Sequence, residues 1–224
     1  MRKRKELRLL LAAAAAGAGI WGCSGLNPRY DTFAPEVSSI YVSAEGKIRS
    51  ATVEPCQEDY YSQTKLEEFI AGELSEYNEE QGAPRLAHNM EGGQVLPVSL
   101  VSCSIEEGKA VVIYEYGQSS DFVNFAEAYH DSANTVSALE TGSVSQGQEE
   151  GWFSGENLTE PGSDSPVSEE KLNGLEEKMA VMVESDHPIT VMTGGKILYI
   201  TGGAAVSHGN TAELPEGKNL IIFE

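Results

Sequence analysis

Runs of β-branched and aromatic residues alternate with polar turns along most of this chain. Three pairs of such runs are joined by short turns rich in Gly and Lys: residues 40–43 with 48–53, 98–105 with 110–116, and 189–192 with 197–201. Each pair predicts a β-hairpin, because glycine readily adopts the positive φ of a tight turn and lysine stays in solvent. A last apolar run, at residues 220–223, predicts a closing strand.

One segment has the period of an α-helix instead. Its apolar residues recur every three or four positions over residues 64–81, and they are Leu66, Phe69, Ile70, Leu74 and Tyr77. Thr64 and Glu67 have the spacing of a capping box at the start, and Gly82 and Pro84 follow the end. The apolar stripe predicts a helix that packs on a sheet.

The order of these elements defines the fold class. A second, shorter helix is predicted over residues 122–129, so hairpin, helix, hairpin and helix follow one another before the last strands. We therefore predict an α+β fold. It consists of antiparallel β-hairpins, one main amphipathic helix packed on the sheet, and a β-rich C-terminal part.

The composition changes between residues 143 and 174, where Gly, Ser, Glu and Pro predominate. Such a segment buries too little apolar surface to order itself, so we predict a disordered acidic insert. Trp152 and Phe153 lie together within it. They are either a docking motif for a partner or a pair that packs the insert against its own domain.

The first 23 residues have the pattern of an exported lipoprotein. Basic residues precede an apolar stretch at residues 9–21, which is too short for a transmembrane helix of roughly 20 residues. Ile20, Trp21 and Gly22 then precede Cys23, as in the lipobox of bacterial lipoproteins, although Trp21 is bulkier than the usual residue. We predict cleavage before Cys23 and a diacylglycerol on its sulfur, which anchors the chain to the outer face of the cytoplasmic membrane. The alternative is an ordinary secretory signal with a coincidental cysteine.

These patterns divide the chain into five parts. They are a lipoprotein signal peptide at 1–22, a flexible tether at 23–36, an α+β core at 37–142, the disordered insert at 143–174, and the β-rich C-terminal part of the same body at 175–224.

The chain after the signal peptide is strongly acidic. Residues 1–22 carry five basic residues and one acidic residue, so their removal changes the formal net charge from −20 to −24. A surface of this charge repels a phosphate backbone, and we predict that nucleic acid is not a partner. It also repels an anionic membrane surface, so we expect the body to stand off on its tether.

Glu73 is an acidic residue within the apolar stripe of the main helix, between Phe69 and Tyr77. A carboxylate in that position needs a hydrogen-bond donor. We consider two roles for Glu73. It is a functional acid that acts on or grips a ligand, or a structural acid that a tyrosine hydroxyl or a backbone amide satisfies.

Other reactive groups have no motif spacing. The four histidines lie in separate predicted loops or helix ends: His88, His130, His187 and His208. We therefore predict no metal site, no cofactor and no catalytic residue. Cys56 and Cys103 either form one disulfide or remain buried thiols, and their spacing does not decide between these alternatives.

The chain also resembles a family, the uncharacterised small lipoproteins of clostridial gut bacteria. The likeness rests on residues 39–54, Asp59-Tyr60-Tyr61, residues 66–78 and Gly195-Lys196-Ile197-Leu198-Tyr199. It implies a Gram-positive envelope with a single membrane as the location. It implies no activity and no site residue.

Three functions are compatible with these features. The first is a non-catalytic interaction or structural module of the cell envelope, whose partner is an envelope protein or a wall polymer. The alternatives are a lipoprotein that binds a small ligand and a hydrolase whose site is assembled only by the fold. The sequence favours the first, because it contains no reactive constellation, and it leaves the oligomeric state undetermined.

Overall fold

The structure, a computed structural model, describes residues 32–57, 62–83, 95–129, 131 and 133–224. Within these residues the chain forms two β-sheets and four helices, and it confirms the α+β class. The helices are α1 (Gln63–Glu80), α2 (Ser119–Ala128), α3 (Val144–Glu149) and α4 (Glu169–Asn173). The strands are β1 (Ser39–Val42), β2 (Ile48–Pro55), β3 (Val98–Glu106), β4 (Lys109–Tyr116), β5 (Ala138–Ser143), β6 (Leu158–Thr159), β7 (Met179–Ser185), β8 (Ile189–Thr193), β9 (Ile197–Thr201), β10 (Ala205–Ser207), β11 (Thr211–Leu214) and β12 (Gly217–Phe223).

The first sheet has seven strands in the order β10-β11-β8-β1-β2-β4-β3. Adjacent strands of this sheet are antiparallel except for β1 and β8, which run parallel to each other. The second sheet has five strands in the order β5-β7-β12-β9-β6, all antiparallel. The C-terminal strands therefore contribute to both sheets.

Two of the three predicted hairpins are confirmed. β1 pairs with β2 and β3 pairs with β4, and the glycines of their turns, Gly46 and Gly108, have positive φ values of 79° and 75°. This is the backbone conformation that an L-residue with a β-carbon adopts least readily.

The third predicted hairpin is wrong. β8 belongs to the seven-stranded sheet and β9 to the five-stranded sheet, so Gly194 and Gly195 carry the chain from one sheet to the other. The Gly194 amide donates to the carbonyl of Val42, and neither glycine has a positive φ. A β-carbon on Gly195 would lie 1.7 Å from the carbonyl oxygen of Glu224, so close backbone contact is the reason for glycine here.

Helix α1 lies beside the edge strand β3. Ile70, Leu74 and Tyr77 are buried, as the apolar stripe predicts, whereas Phe69 is 42% exposed. The predicted capping box is absent, because α1 begins after Ser62 without a side-chain cap.

Two side chains of α1 bind the free backbone of β3. The Asn78 amide accepts from the Val98 N–H and donates to the Val98 carbonyl, at 3.0 and 2.8 Å. Gln63 donates to the carbonyl of Cys103 at 3.0 Å. These bonds occupy backbone groups that an unpaired edge strand would otherwise present to another chain.

The two sheets share a hydrophobic core. Residues of the first sheet such as Ile40 and Val191 belong to the same buried cluster as Val181 and Ile221 of the second, together with the apolar residues of α1 and α2. The facing surfaces of the sheets and the two longer helices therefore form one body.

The predicted disordered insert is an ordered cover, which corrects our expectation for residues 143–174. These residues contain α3, β6 and α4; β6 is the last strand of the second sheet, and apolar side chains of the segment pack on the outer face of that sheet. A second buried cluster fills this interface: Val144, Trp152, Leu158, Ala180, Tyr199, Leu220 and Ile222. The insert is ordered because the sheet supplies the apolar surface that the insert itself lacks.

Among the described residues, none of the helices is both long and apolar enough to cross a membrane. Most of the predicted tether, together with the whole signal peptide, lies outside the described residues. Within residues 32–36, the ring of Phe33 stacks on Tyr41 of β1, with centroids 5.0 Å apart. The end of the predicted tether therefore contacts the body.

Candidate functional site

Glu73 lies where α1 approaches the end of α2. The Tyr129 hydroxyl donates to the backbone carbonyl of Glu73 at 3.0 Å, and the Glu73 side chain is half-buried. Burial, followed by the charges of Glu73, Glu76 and Glu80, raises the pKa of Tyr129 to about 12. The Tyr129 bond reaches the backbone of Glu73 and not its carboxylate, so it holds the two helices together and leaves both proposed roles of the Glu73 side chain open.

Aromatic rings fill the space beside Glu73. The Phe125 ring lies 4.6 Å from that of Tyr129, 5.1 Å from that of Tyr77 and 5.3 Å from that of Tyr114, measured between centroids. Burial is the main cause of the raised pKa of Tyr114, and the charges of Glu73 and Asp131 add to it. These tyrosines remain neutral at physiological pH and serve as packing and hydrogen-bonding groups.

Trp152 and Phe153 do not form an exposed pair. The Trp152 side chain is 5% exposed, and its indole N–H donates to Glu150 at 3.1 Å. Lys218 donates to the Trp152 carbonyl at 2.6 Å and lies 3.4 Å from the Glu156 carboxylate. Phe153 packs partly buried against the same cluster, so the pair holds the insert to its own domain.

Both cysteines that the structure describes are free and buried. Burial raises the pKa of Cys56, and burial together with the charge of Glu67 raises that of Cys103. A thiol with a raised pKa is a poor nucleophile at neutral pH. Cys56 and Cys103 therefore behave as small apolar residues of the core.

Ser185, Asp186 and His187 have the residue types of a hydrolytic triad but not its geometry. The Asp186 carboxylate lies 2.9 Å and the Ser185 hydroxyl 3.3 Å from the same ring nitrogen, Nδ1 of His187. A triad needs the serine on Nε2 and the acid on Nδ1. Here Nε2 is buried and has no hydrogen-bond partner, so this cluster does not activate the serine.

A recess of about 190 Å³ lies on the outer face of the first sheet, next to the β1-β2 turn. Lys47 and Arg49 line it, together with Tyr41, whose side chain is itself buried. The Arg49 guanidinium is paired with Glu115 at 2.6 Å. One of the two cations that line the recess is therefore already paired with a carboxylate.

A polar cluster that the sequence did not predict joins β2 to the loop after α2. Oδ2 of Asp131 accepts from the Thr52 hydroxyl and from the Asn134 amide, each at 2.9 Å. Asn134 is fully buried and also donates to the carbonyl of Ala51 at 3.0 Å. Residues 131–134 read as an ordinary polar loop in the sequence, because only the fold brings Thr52 beside them.

Three of the residues considered in the sequence, Cys23, His88 and His130, lie outside the described residues. In the part of the chain that the structure describes, no group of three or more His, Cys, Asp or Glu side chains could hold a metal ion.

Comparisons of the chain with protein-family models, with curated proteins and with solved structures found no match.

Proposed function

We propose that this protein is a lipid-anchored module on the outer face of a bacterial cytoplasmic membrane, and that it acts by binding another envelope component and not by catalysis. The observation that carries the proposal is the lipobox-like Ile20-Trp21-Gly22-Cys23 at the end of a basic and apolar segment. The likeness to small clostridial lipoproteins agrees with this location.

The arrangement of the described residues supports a non-catalytic role. The Ser185, Asp186 and His187 side chains lack the geometry of a triad, and Glu73 lies against a neighbouring helix. Ser185 and Asp186 both lie on Nδ1 of His187, so no acid orients this histidine from the opposite ring nitrogen as a triad requires. A binding module is the function that these features favour.

The anchor is tested by replacing Cys23 with alanine in the native bacterium. We expect Cys23→Ala to move the protein from the membrane fraction to the medium or to leave an uncleaved precursor, since no thiol remains for the lipid. Ser24→Ala is the matched control, because it changes the neighbouring residue and keeps the lipid acceptor. A processed Cys23→Ala protein that stays in the membrane fraction would contradict the anchor.

The partner is expected to be an envelope protein or a wall polymer that uses an open strand edge. β10 ends the seven-stranded sheet, and Ala205 and Ser207 on it are exposed. An added strand would pair with such an edge through its backbone. The Trp152 and Phe153 pair is no longer the preferred contact, because it packs within the protein.

A photo-crosslinking residue at Ser207 tests this surface in living cells. We expect one dominant crosslinked species from Ser207 and none from Glu169, an exposed residue of α4 on the insert. The same species from both positions would mean that β10 is not the docking edge. No species from either position, with turnover of a wall fragment by the purified protein, would favour the hydrolase instead.

A further inference from the structure

Two buried oxygen atoms in the polar cluster between β2 and the loop after α2 have no hydrogen-bond donor. They are Oδ1 of Asp131 and Oδ1 of Asn134. The other oxygen of Asp131 is occupied by Thr52 and by the Asn134 amide nitrogen. Because a buried acceptor without a partner is costly, the described side chains leave this cluster incomplete.

The orientation of the Asn134 amide is fixed by its neighbours. Its nitrogen donates to two oxygens, those of the Ala51 carbonyl and the Asp131 carboxylate. Exchanging the amide oxygen and nitrogen would place three acceptors together, so the oxygen must be the atom without a partner. The unsatisfied oxygen is therefore a feature of the fold and not of an amide assigned the wrong way round.

A second carboxylate lies close to this cluster. Glu54 follows Thr52 by two residues on β2, so both side chains project from the same face of the sheet. Burial, followed by the charge of Asp131, raises the pKa of Glu54. Among the described residues, Glu54 has no ion pair or side-chain hydrogen bond that would compensate this repulsion.

We propose that Glu54, Asp131 and Asn134 bind a calcium ion. Two carboxylates and an amide oxygen are hard oxygen ligands of the kind that calcium prefers, and the absence of nitrogen and sulfur ligands disfavours zinc. Calcium would supply the positive charge that the two carboxylates lack and would coordinate the two oxygens that no donor reaches. Extracellular calcium modules typically bind in the range of about 10⁻⁴ to 10⁻³ M, which suits a protein outside the cytoplasm.

The proposed site combines ligands of two kinds from two separate parts of the chain. Only two of its three side chains are acids, and the third ligand is an amide. The three residues also come from two distant parts of the chain, with Glu54 on β2 and the other two after α2. The site goes beyond the proposed function and does not depend on the identity of the partner.

Calcium titration of the purified full-length protein tests the site. We expect calcium to raise the melting temperature by about 5 to 10 °C at a hundredfold excess over its Kd, and an equal ionic strength of sodium chloride to leave it unchanged. Terbium, which substitutes for calcium, should luminesce when tyrosine is excited, because Tyr114 lies on β4, the strand that pairs with the strand of Thr52 and Glu54. Calcium should then displace terbium and remove the signal.

Two variants assign the ligands. Asp131→Asn should abolish terbium luminescence, and Glu54→Gln should weaken calcium binding about tenfold, while Glu213→Gln, an exposed strand acid elsewhere on the first sheet, should bind normally. Glu54 is half-buried on a long strand, so its glutamine variant keeps the test meaningful even where Asp131→Asn does not fold.

Three results would overturn the proposal. The first is a melting temperature that calcium leaves unchanged up to about 10 mM, which is well above the expected range of Kd. The second is an equal shift with sodium chloride. The third is full calcium binding in both Glu54→Gln and Asp131→Asn. An experimental structure with calcium in the buffer and only a water molecule between Asp131 and Asn134 would also refute it.

Discussion

Gly195 and Gly72 differ in what surrounds the position where a β-carbon would lie. A β-carbon on Gly195 would overlap the backbone of Glu224, whereas one on Gly72, within α1, has nothing within 4 Å. Gly195→Ala should therefore destabilise the protein by roughly 1–3 kcal/mol, because backbone must move. Gly72→Ala, the control, should stabilise it by about 0.5–1 kcal/mol through helix propensity. Urea unfolding measures both, and equal effects would contradict the sheet-crossing contact.

The tyrosines beside Glu73 predict sensitivity to alkaline pH. The pKa of Tyr129 is raised from 10.0 to about 12 in the folded protein, so between these values the unfolded state loses a proton that the folded state keeps. Stability is therefore complete below about pH 10 and falls as the pH rises towards about 12. Tyr129→Phe should reduce this fall, as measured by urea unfolding across the alkaline range. An unchanged slope would exclude Tyr129 as a contributor.

At the scale of elements, local patterns predicted the hairpins and α1 but not their partners. The turns at Gly46 and Gly108 are set by neighbouring residues, so short-range spacing suffices to find them. Gly194-Gly195 looks like the same signal, but its role depends on contacts with Val42 and Glu224, far away in the chain. Sequence spacing carries no information about such contacts.

The hydrogen bonds between Asn78 of α1 and the edge strand β3 should make a measurable contribution to the unfolding free energy. Asn78 satisfies both backbone groups of Val98 in a buried position, so Asn78→Ala leaves a donor and an acceptor unpaired. We expect a loss of about 1–3 kcal/mol in unfolding free energy. Gln63→Ala should cost less, because the exposed Gln63 makes one bond that water can replace. Equal losses in the two variants would mean that burial does not govern this edge.

The ordered insert predicts a change in proteolysis. In the native protein, residues 143–174 should resist light digestion, because Trp152 and its neighbours are buried on the second sheet. Trp152→Ala removes a large core side chain at a cost of about 3–5 kcal/mol and should make this segment the first site of cleavage. Phe69→Ala, at a partly exposed position, should leave the pattern unchanged. First cuts at residues 143–174 in the unaltered protein would instead support the prediction that this segment is disordered.

The composition of residues 143–174 predicts disorder because it contains no information about the apolar surface that these residues cover. Leu220, Ile221, Ile222 and Phe223 are all buried on β12, so both faces of that strand are covered. A continuous apolar strand of this kind requires a second covering layer. The run at residues 220–223 was visible in the sequence, and it was the signal that could have predicted an ordered cover.

At the scale of the whole molecule, the α+β class predicted from the sequence agrees with the two-sheet body. The proposed calcium ligands, however, come together only through the fold. Glu54 and Asp131 are unremarkable acids in an acidic chain, and the fold alone brings them together. The predicted lipid attachment, by contrast, rests on a contiguous sequence pattern around Cys23 and does not depend on the fold. This is why the sequence supports a location more readily than a ligand.

The tether and the net charge together predict how far the body stands from the membrane. Phe33, which contacts the body, lies ten positions after Cys23, so the proposed tether reaches at most about 35 Å when extended. A body of strongly negative charge should be repelled by anionic lipid within about 10 Å at 0.1 M salt. A dye on Ala205→Cys can report this distance by energy transfer to a labelled lipid, because the two native thiols in the body are buried.

We expect lower energy transfer on anionic than on neutral vesicles at low salt, and equal transfer at high salt, where the repulsion is screened. Phe33→Ala is the matched variant. Without the stacking contact on Tyr41 the tether lengthens, so the body should move further from anionic vesicles while staying attached. Higher transfer on anionic than on neutral vesicles would contradict a net repulsion between the body and the lipid.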